Sequence, residues 1–397
     1  MNPTLRDRIA AEIRSSGPID FARFMECALA DPESGYYAVE TVRAGRTGDF
    51  ITAPELHPLL GSALARLVAA AWERLGAPRR FRWIEFGAGS GTLLVAALDR
   101  LRRDEHPLLA ALEVDLVELN PYRRSEAVAA LAALPGGGPP VRSSTTPRSV
   151  APFGAVIANE YLDALPFHIV VGRAAAPRGF LERRVAIDET SGAFDWIEAP
   201  ADPTVAERLA ARLADGPPLV EGQLAEISLA TDAWVASVPT LLANGLVAVL
   251  DYGRTSDVLR DAATRMAGTA LAYRGHRASP DLLAEPGERD LTAHVDITAL
   301  RHAAARAGLR SLASTTQAAF LASAGVDDEL TRHLRGPEAT MEGALALRGA
   351  LARLMNPRAM GGFAVELFAV GSAEVVEPLF AARDPLPGTA APIRVLV

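Results

Sequence analysis

Residues 81–98 read FRWIEFGAGSGTLLVAAL, and the fold turns on how that stretch divides. The aromatic and apolar run from Phe81 to Phe86 has the length and composition of a buried strand. It breaks into Gly87-Ala88-Gly89-Ser90-Gly91, and from Thr92 to Arg103 the apolar residues recur at helical spacing. A strand, a glycine turn and a helix start together bring backbone N–H groups close to a ligand. Glycine suits the turn because it has no Cβ in the way and tolerates positive φ. A dinucleotide fingerprint would place a third glycine at position 92, where Thr92 stands. A plain connector between strand and helix is the competing reading, and the turn alone does not separate the two.

The neighbouring segments do. Leu112 to Glu118 (LEVDLVE) reads as a second strand that ends on an acid. In doubly wound nucleotide-binding folds an acid there holds a ribose diol, because a carboxylate accepts two parallel O–H bonds. Gly154 to Ala158 reads as a third strand, running straight into Asn159-Glu160-Tyr161-Leu162-Asp163. Ligands bind outside the carboxyl ends of strands in open α/β sheets, so these polar residues emerge at the right edge. Three runs, 167–171, 179–187 and 193–197, alternate as an antiparallel meander, and residues 226–242 read as a helix. Residues 246–250 give a further core strand ending in Asp251, which holds loops together. Residues 254–290 read mostly as turn and loop; a helix opens around 289–296 and runs to 307. The expected fold class is α/β: a Rossmann-like core with a mostly parallel sheet, an N-terminal helical cap and an inserted antiparallel strand subdomain. The expected segments are 1–60 for the cap and a lid loop, 61–166 for the first half of the core, 167–225 for the insert, 226–375 for the second half and 376–397 for an extension.

Composition excludes more than it proves. The chain has 397 residues, 49% hydrophobic and 22% charged, with a formal charge of −8. That balance fits a globular protein and offers no basic footprint for nucleic acid. No apolar run reaches the ~18 residues of a membrane span, and the N-terminus has no apolar core of a secretory signal. The cytoplasm is the default expectation. Cys27 is the only cysteine, so intrachain disulfides, cysteine zinc sites and iron–sulfur clusters are ruled out. No metal site is expected. All 40 basic residues are arginine, which removes Walker A, Schiff-base and kinase lysines.

The glycine pattern Glu85-x-Gly87-x-Gly89-x-Gly91 is that of S-adenosylmethionine methyltransferases. Ten stretches in order resemble the MidA-like family of these enzymes, relatives of the mitochondrial methyltransferase that assembles respiratory complex I. They are DPESGYY (31–37), GDFITAPE (48–55), EFGAGSGTL (85–93), VELNP (117–121), ANEYLDALP (158–166), LERRV (181–185), LDYG (250–253), RDLTAHVD (289–296), TQAAFL (316–321) and MGGFAV (360–365). The resemblance implies S-adenosylmethionine as cofactor and a protein-arginine N-methyltransferase activity, with a respiratory complex subunit as one candidate acceptor. This chain departs from the family where Ala88 and Ser90 replace the usual proline and arginine of the turn, at Asn120-Pro121 and at His57-Pro58. The resemblance places Gly87 and Gly89 against the methionine part of the cofactor, with Glu85 and Gly91 in the same turn. It gives Glu118 to the ribose and Asn159 to the pocket floor. From the lid, Phe50 packs on adenine or the sulfonium, and Thr52 and Glu55 bond the amino acid end.

Methylating a guanidinium requires a lone pair on a group whose pKa exceeds ~12. Paired carboxylates can hold such a cation, localise its charge and take its proton. Glu160 and Asp163 fit that role, with His294 beside Asp296 as the second acid–base element. Methylation of a free guanidino compound or another small molecule, and a cofactor-binding assembly role without turnover, are the alternatives.

Overall fold

A computed structural model describes residues 4–38, 52–148, 150–335 and 339–371. The chain forms two compact units, each assembled from discontinuous segments. The first comprises Met1–Phe50, Leu162–Val235 and Gly253–Ala303; the second comprises Ile51–Tyr161, Ala236–Tyr252 and Ala304–Val397.

The second unit is built on a seven-stranded sheet. Its strands are β1 (Phe81–Phe86), β2 (Leu112–Val117), β3 (Val141–Ser144), β4 (Ala151–Asn159), β5 (Leu242–Asp251), β6 (Arg310–Thr316) and β7 (Ala364–Val370). Their spatial order is β3-β2-β1-β4-β5-β7-β6. Strands β1 to β5 pair in parallel, and β7 runs antiparallel to both β5 and β6. The order reverses between β1 and β4, which makes a topological switch point at their carboxyl ends. A dinucleotide fold would continue with parallel strands only; here antiparallel β7 is wedged in. The central strands are buried on both faces, which is why they read as continuous apolar runs rather than alternating ones. Helix Leu59–Arg74 lies tightly on helix Thr92–Arg103. A Cβ at Gly61 would sit 2.5 Å from the Ala96 Cβ, so only glycine allows that approach. Leu64, Val68, Trp83, Leu94 and Leu98 fill the core between helices and sheet.

The first unit has its own core. Strand Phe180–Ile187 pairs antiparallel with Ile19–Asp20, His168–Gly172 and Phe194–Ala199, and His168–Gly172 pairs with Leu224–Ile227. Helices Leu5–Ser16 and Phe21–Ala30 start on side-chain caps, a Thr4–Asp7 capping box and Asp20 accepting from the Arg23 N–H. Phe21 stacks among Phe24, Phe167 and Trp196 with ring centroids 5.3–5.8 Å apart. The Glu182 carboxylate is shared between the His168 imidazole at 2.7 Å and the Arg184 guanidinium at 3.0 Å.

The α/β core, the mostly parallel sheet and the antiparallel meander match the expectation from sequence. Three readings need correction. The helix expected over 226–242 is the shorter Leu229–Ser237, preceded by strand Leu224–Ile227; four residues are too few for an alternation to declare itself. The loop expected over 254–290 contains a small antiparallel sheet of Leu271–Arg274, Arg277–Ser279 and Asp290–Thr292. The helix expected to open around 289–296 starts only at Ile297. Among the described residues, no helix is long and apolar enough to cross a membrane.

Candidate active site

The turn after β1 has the backbone its glycines allow. Gly87, Gly89 and Gly91 have φ of 64°, 53° and 79°, in the left-handed region that side chains resist. The three differ in surroundings. A Cβ on Gly87 would lie 3.0 Å from the Tyr161 ring, and one on Gly91 3.0 Å from the Ala127 Cβ. A Cβ on Gly89 would meet nothing within 4 Å, so the middle of the turn faces open space. Gly91 is also the N-cap of helix Thr92–Arg103, which puts that helix's free N–H groups beside the turn.

Glu118 follows β2 and is held by backbone. One carboxylate oxygen accepts from the Gly89 N–H at 2.8 Å and the other from the Asn120 N–H at 2.9 Å. Asn120 in turn caps helix Pro121–Ala132 through the N–H groups of Tyr122 and Arg123. The carboxylate is therefore fixed against the glycine turn before any ligand arrives. Glu85 is different. It lies on β1, only 2% exposed, with the Trp83 indole N–H donating to it at 3.2 Å. Burial, reinforced by the charge of Glu118, pushes its carboxyl up to about 8. Glu85 is a neutral, interior acid at pH 7 that supports the turn from beneath.

The end of β4 carries a conformational outlier. Glu160 has φ of 49°, as four other non-glycine residues do within about 11° among the described residues, and it is the one of the five that stands at the switch point. Its N–H donates to the Leu250 carbonyl of β5 at 2.8 Å. Its carboxylate accepts from the Ala53 N–H at 3.0 Å and the Asn159 side-chain amide at 3.3 Å. Asn159 Oδ1 is buried and has no hydrogen-bond partner among the described residues. Thr52 and Glu55 form a capping box around the short helix Ala53–Leu56, so that helix start carries Ala53 to Glu160. Phe50 lies outside the described residues.

Sequence reasoning gave Tyr161 no role. Its ring lies against Phe86 and over Gly87, and its N–H donates to Asp251 at 3.2 Å. Burial, then the charge of Glu118, raises its hydroxyl to about 12. The signal available was its place directly after Glu160 in the run leaving a strand. Asp251 also accepts from the Tyr252 N–H at 2.9 Å, the loop-holding role expected of it.

The remaining candidates belong to the first unit. Asp163 is buried, with its carbonyl accepting from the Ala293 N–H at 3.2 Å, so the Glu160–Asp163 pair is divided between the two units. Its charge raises the hydroxyl of Tyr37, whose O–H donates to Asp290 at 2.7 Å, after the larger effect of burial. The carboxylate of Asp296 accepts from the Ser256 hydroxyl, the Ala299 N–H and the Arg260 guanidinium. Burial first, then the charges of Arg265 and Arg254, press His294 down to about 4. Its imidazole is neutral at pH 7.

A switch point with a glycine turn on one side and a strained acid on the other defines an α/β transferase site for an adenosyl ligand. The comparisons give the class its family. Residues 63–315 match the profile of an S-adenosyl-L-methionine-dependent methyltransferase family, and the chain belongs to that family. It is similar to a Burkholderia thailandensis protein solved bound to S-adenosyl-homocysteine. The two are 35% identical with a TM-score of 0.83, covering 96% of this chain and 95% of the other. The mitochondrial protein arginine methyltransferase NDUFAF7 of Mus musculus is 28% identical over 91% of this chain and 83% of its own length. Its Drosophila melanogaster homolog is 26% identical over 90% and 83%. The cofactor is S-adenosylmethionine. The local structure fits it: a glycine turn open at Gly89, a helix N-terminus beside the turn, and a carboxylate fixed at the end of β2.

Proposed function

We propose that the chain methylates an arginine guanidinium nitrogen in a protein, with Glu160 as the acid that engages the acceptor. Bound at the glycine turn, S-adenosylmethionine supplies an electrophilic methyl group. Gly87, Gly89 and Gly91 give backbone access, Glu118 accepts from the ribose hydroxyls, and Asn159 closes the floor. Glu160 does the acceptor chemistry. A carboxylate there pairs with the cation, draws its charge away from the reacting nitrogen and takes the proton that nitrogen releases. Holding the two partners in line supplies much of the rate.

The observation that carries the reading is the left-handed Glu160 at the switch point, its carboxylate fixed by the Ala53 N–H. Strain of this kind persists only where surrounding structure enforces it. The names of the NDUFAF7 relatives support arginine as the acceptor. Incubating the chain with methyl-labelled S-adenosylmethionine and bacterial cell extract tests it. Label is expected in the protein fraction and, after acid hydrolysis, in methylated arginine. Label confined to small molecules, or in another amino acid, would refute it.

A further inference from the structure

The ligand edge of the sheet extends beyond Glu160. Register places Thr316 of β6 opposite Ala364 of β7, and Ala364 opposite Asp251 of β5. Asp251 accepts from the Tyr161 N–H, and Glu160 donates to the carbonyl of Leu250. A single row therefore runs along the carboxyl edge from Glu160 through Asp251 and Ala364 to Thr316. Gln317 follows as the first residue of helix Gln317–Ser323.

Everything around Gln317 is spoken for except its side chain. Its N–H donates to the Phe363 carbonyl at 2.9 Å, and Thr316 caps the helix by accepting from the Ala319 N–H at 3.3 Å. Phe363 lies against Tyr252, ring centroids 5.3 Å apart, which ties this corner to the end of β5. The carboxamide of Gln317 is fully buried, and neither its oxygen nor its nitrogen has a hydrogen-bond partner among the described residues. Burial also removes water, the partner that ordinarily satisfies such a group. A leucine would fill similar volume at no polar cost.

We propose that Gln317 is an acceptor-recognition residue, its carboxamide pairing with a peptide group of the substrate. One donor and one acceptor on a planar amide match the N–H and C=O of a main chain. Three strand spacings separate Gln317 from Glu160, roughly 14 Å. An extended peptide covers that in about four residues, so the contact falls on the backbone about four residues from the target. The cofactor side of the edge, at β1 and β2, lies in the opposite direction. Because the amide is fully buried, binding of the acceptor includes uncovering it. The peptide assignment rests on the protein-acceptor reading above; the acceptor-side assignment does not.

Gln317→Leu tests it. With methyl-labelled S-adenosylmethionine at saturation and extract protein as the varied substrate, the half-saturating extract concentration is expected to rise at least tenfold. Affinity for S-adenosylhomocysteine by calorimetry is expected to stay within twofold, and the melting temperature to hold or rise. Gln317→Met keeps the length but loses donor and acceptor and serves if the leucine variant does not fold; the same rise is expected. An unchanged half-saturation, or parallel losses in both affinities, would overturn the proposal by making Gln317 structural. If extract label falls only in small molecules, the protein reading fails, and the same comparison on that fraction still decides whether Gln317 faces the acceptor.

Discussion

The two halves of the ligand edge are finished to different degrees. On the β1–β2 half, Glu118 has both oxygens held by backbone N–H groups and the glycine turn has the backbone it needs. On the β4–β5–β6 half, Glu160 is strained and the Gln317 amide has no hydrogen-bond partner among the described residues. A site for one invariant cofactor can be built complete, since preorganised groups cost nothing at the moment of binding. A site for a macromolecular acceptor keeps hydrogen-bonding capacity in reserve for groups the partner brings. On the reading proposed above, the contrast sets which half to perturb to lose turnover and which to lose the cofactor.

The largest effect is expected from Glu160→Gln. Removing the acid should lower turnover roughly 10²- to 10⁴-fold, the range for a general acid–base group, as measured by label transfer to extract. Turnover within a factor of about three of wild type would break the assignment of chemistry to this half. Next is Glu118→Ala, which takes two charge-assisted bonds from the ribose and should weaken S-adenosylhomocysteine roughly 10- to 100-fold by calorimetry.

Third comes a pH effect under the cofactor half. The folded pKa of Glu85, raised from 4.5 to about 8, means its contribution is complete below the unfolded value and is lost as pH rises to the folded one. Glu85→Gln should therefore melt higher than wild type at pH 9, by on the order of a few kcal/mol, and alike below pH 4.5. A constant gap across pH would show that Glu85 is not the titrating group. The smallest effect separates two glycines of one turn. Gly89→Ala should cost about 1 kcal/mol for its positive φ. Gly91→Ala should cost more in thermal unfolding, because the added Cβ also meets Ala127 at 3.0 Å.

The cofactor half was legible because it rests on backbone, and backbone needs leave local marks. A turn with three left-handed residues demands glycines, and an acid at the end of the next strand is plain in the sequence. Glu160 was legible from its place after a strand, although its left-handed conformation was not. Tyr161 and Gln317 escaped a role because what they touch is set by distant parts of the chain; the one local mark was the place of Tyr161 directly after Glu160. Tyr161 matters through Phe86 and Gly87, more than seventy positions away, and Gln317 through a register that joins β6 to β5 by way of β7. Adjacency in sequence likewise does not give the partners of Asp296, whose carboxylate turns to Ser256 and Arg260. The same distance from local pattern explains the missed strands β3 and β6, short or partly polar runs that become strands by pairing with formed edges.

The central claim is that cofactor and acceptor are served by separate halves of one edge. Titrating S-adenosylhomocysteine calorimetrically into Glu160→Gln and Glu118→Ala side by side tests it most directly. The expected result is wild-type affinity within about threefold for Glu160→Gln and a loss of roughly 10-fold or more for Glu118→Ala. Equal losses in the two variants, or a loss confined to Glu160→Gln, would contradict it.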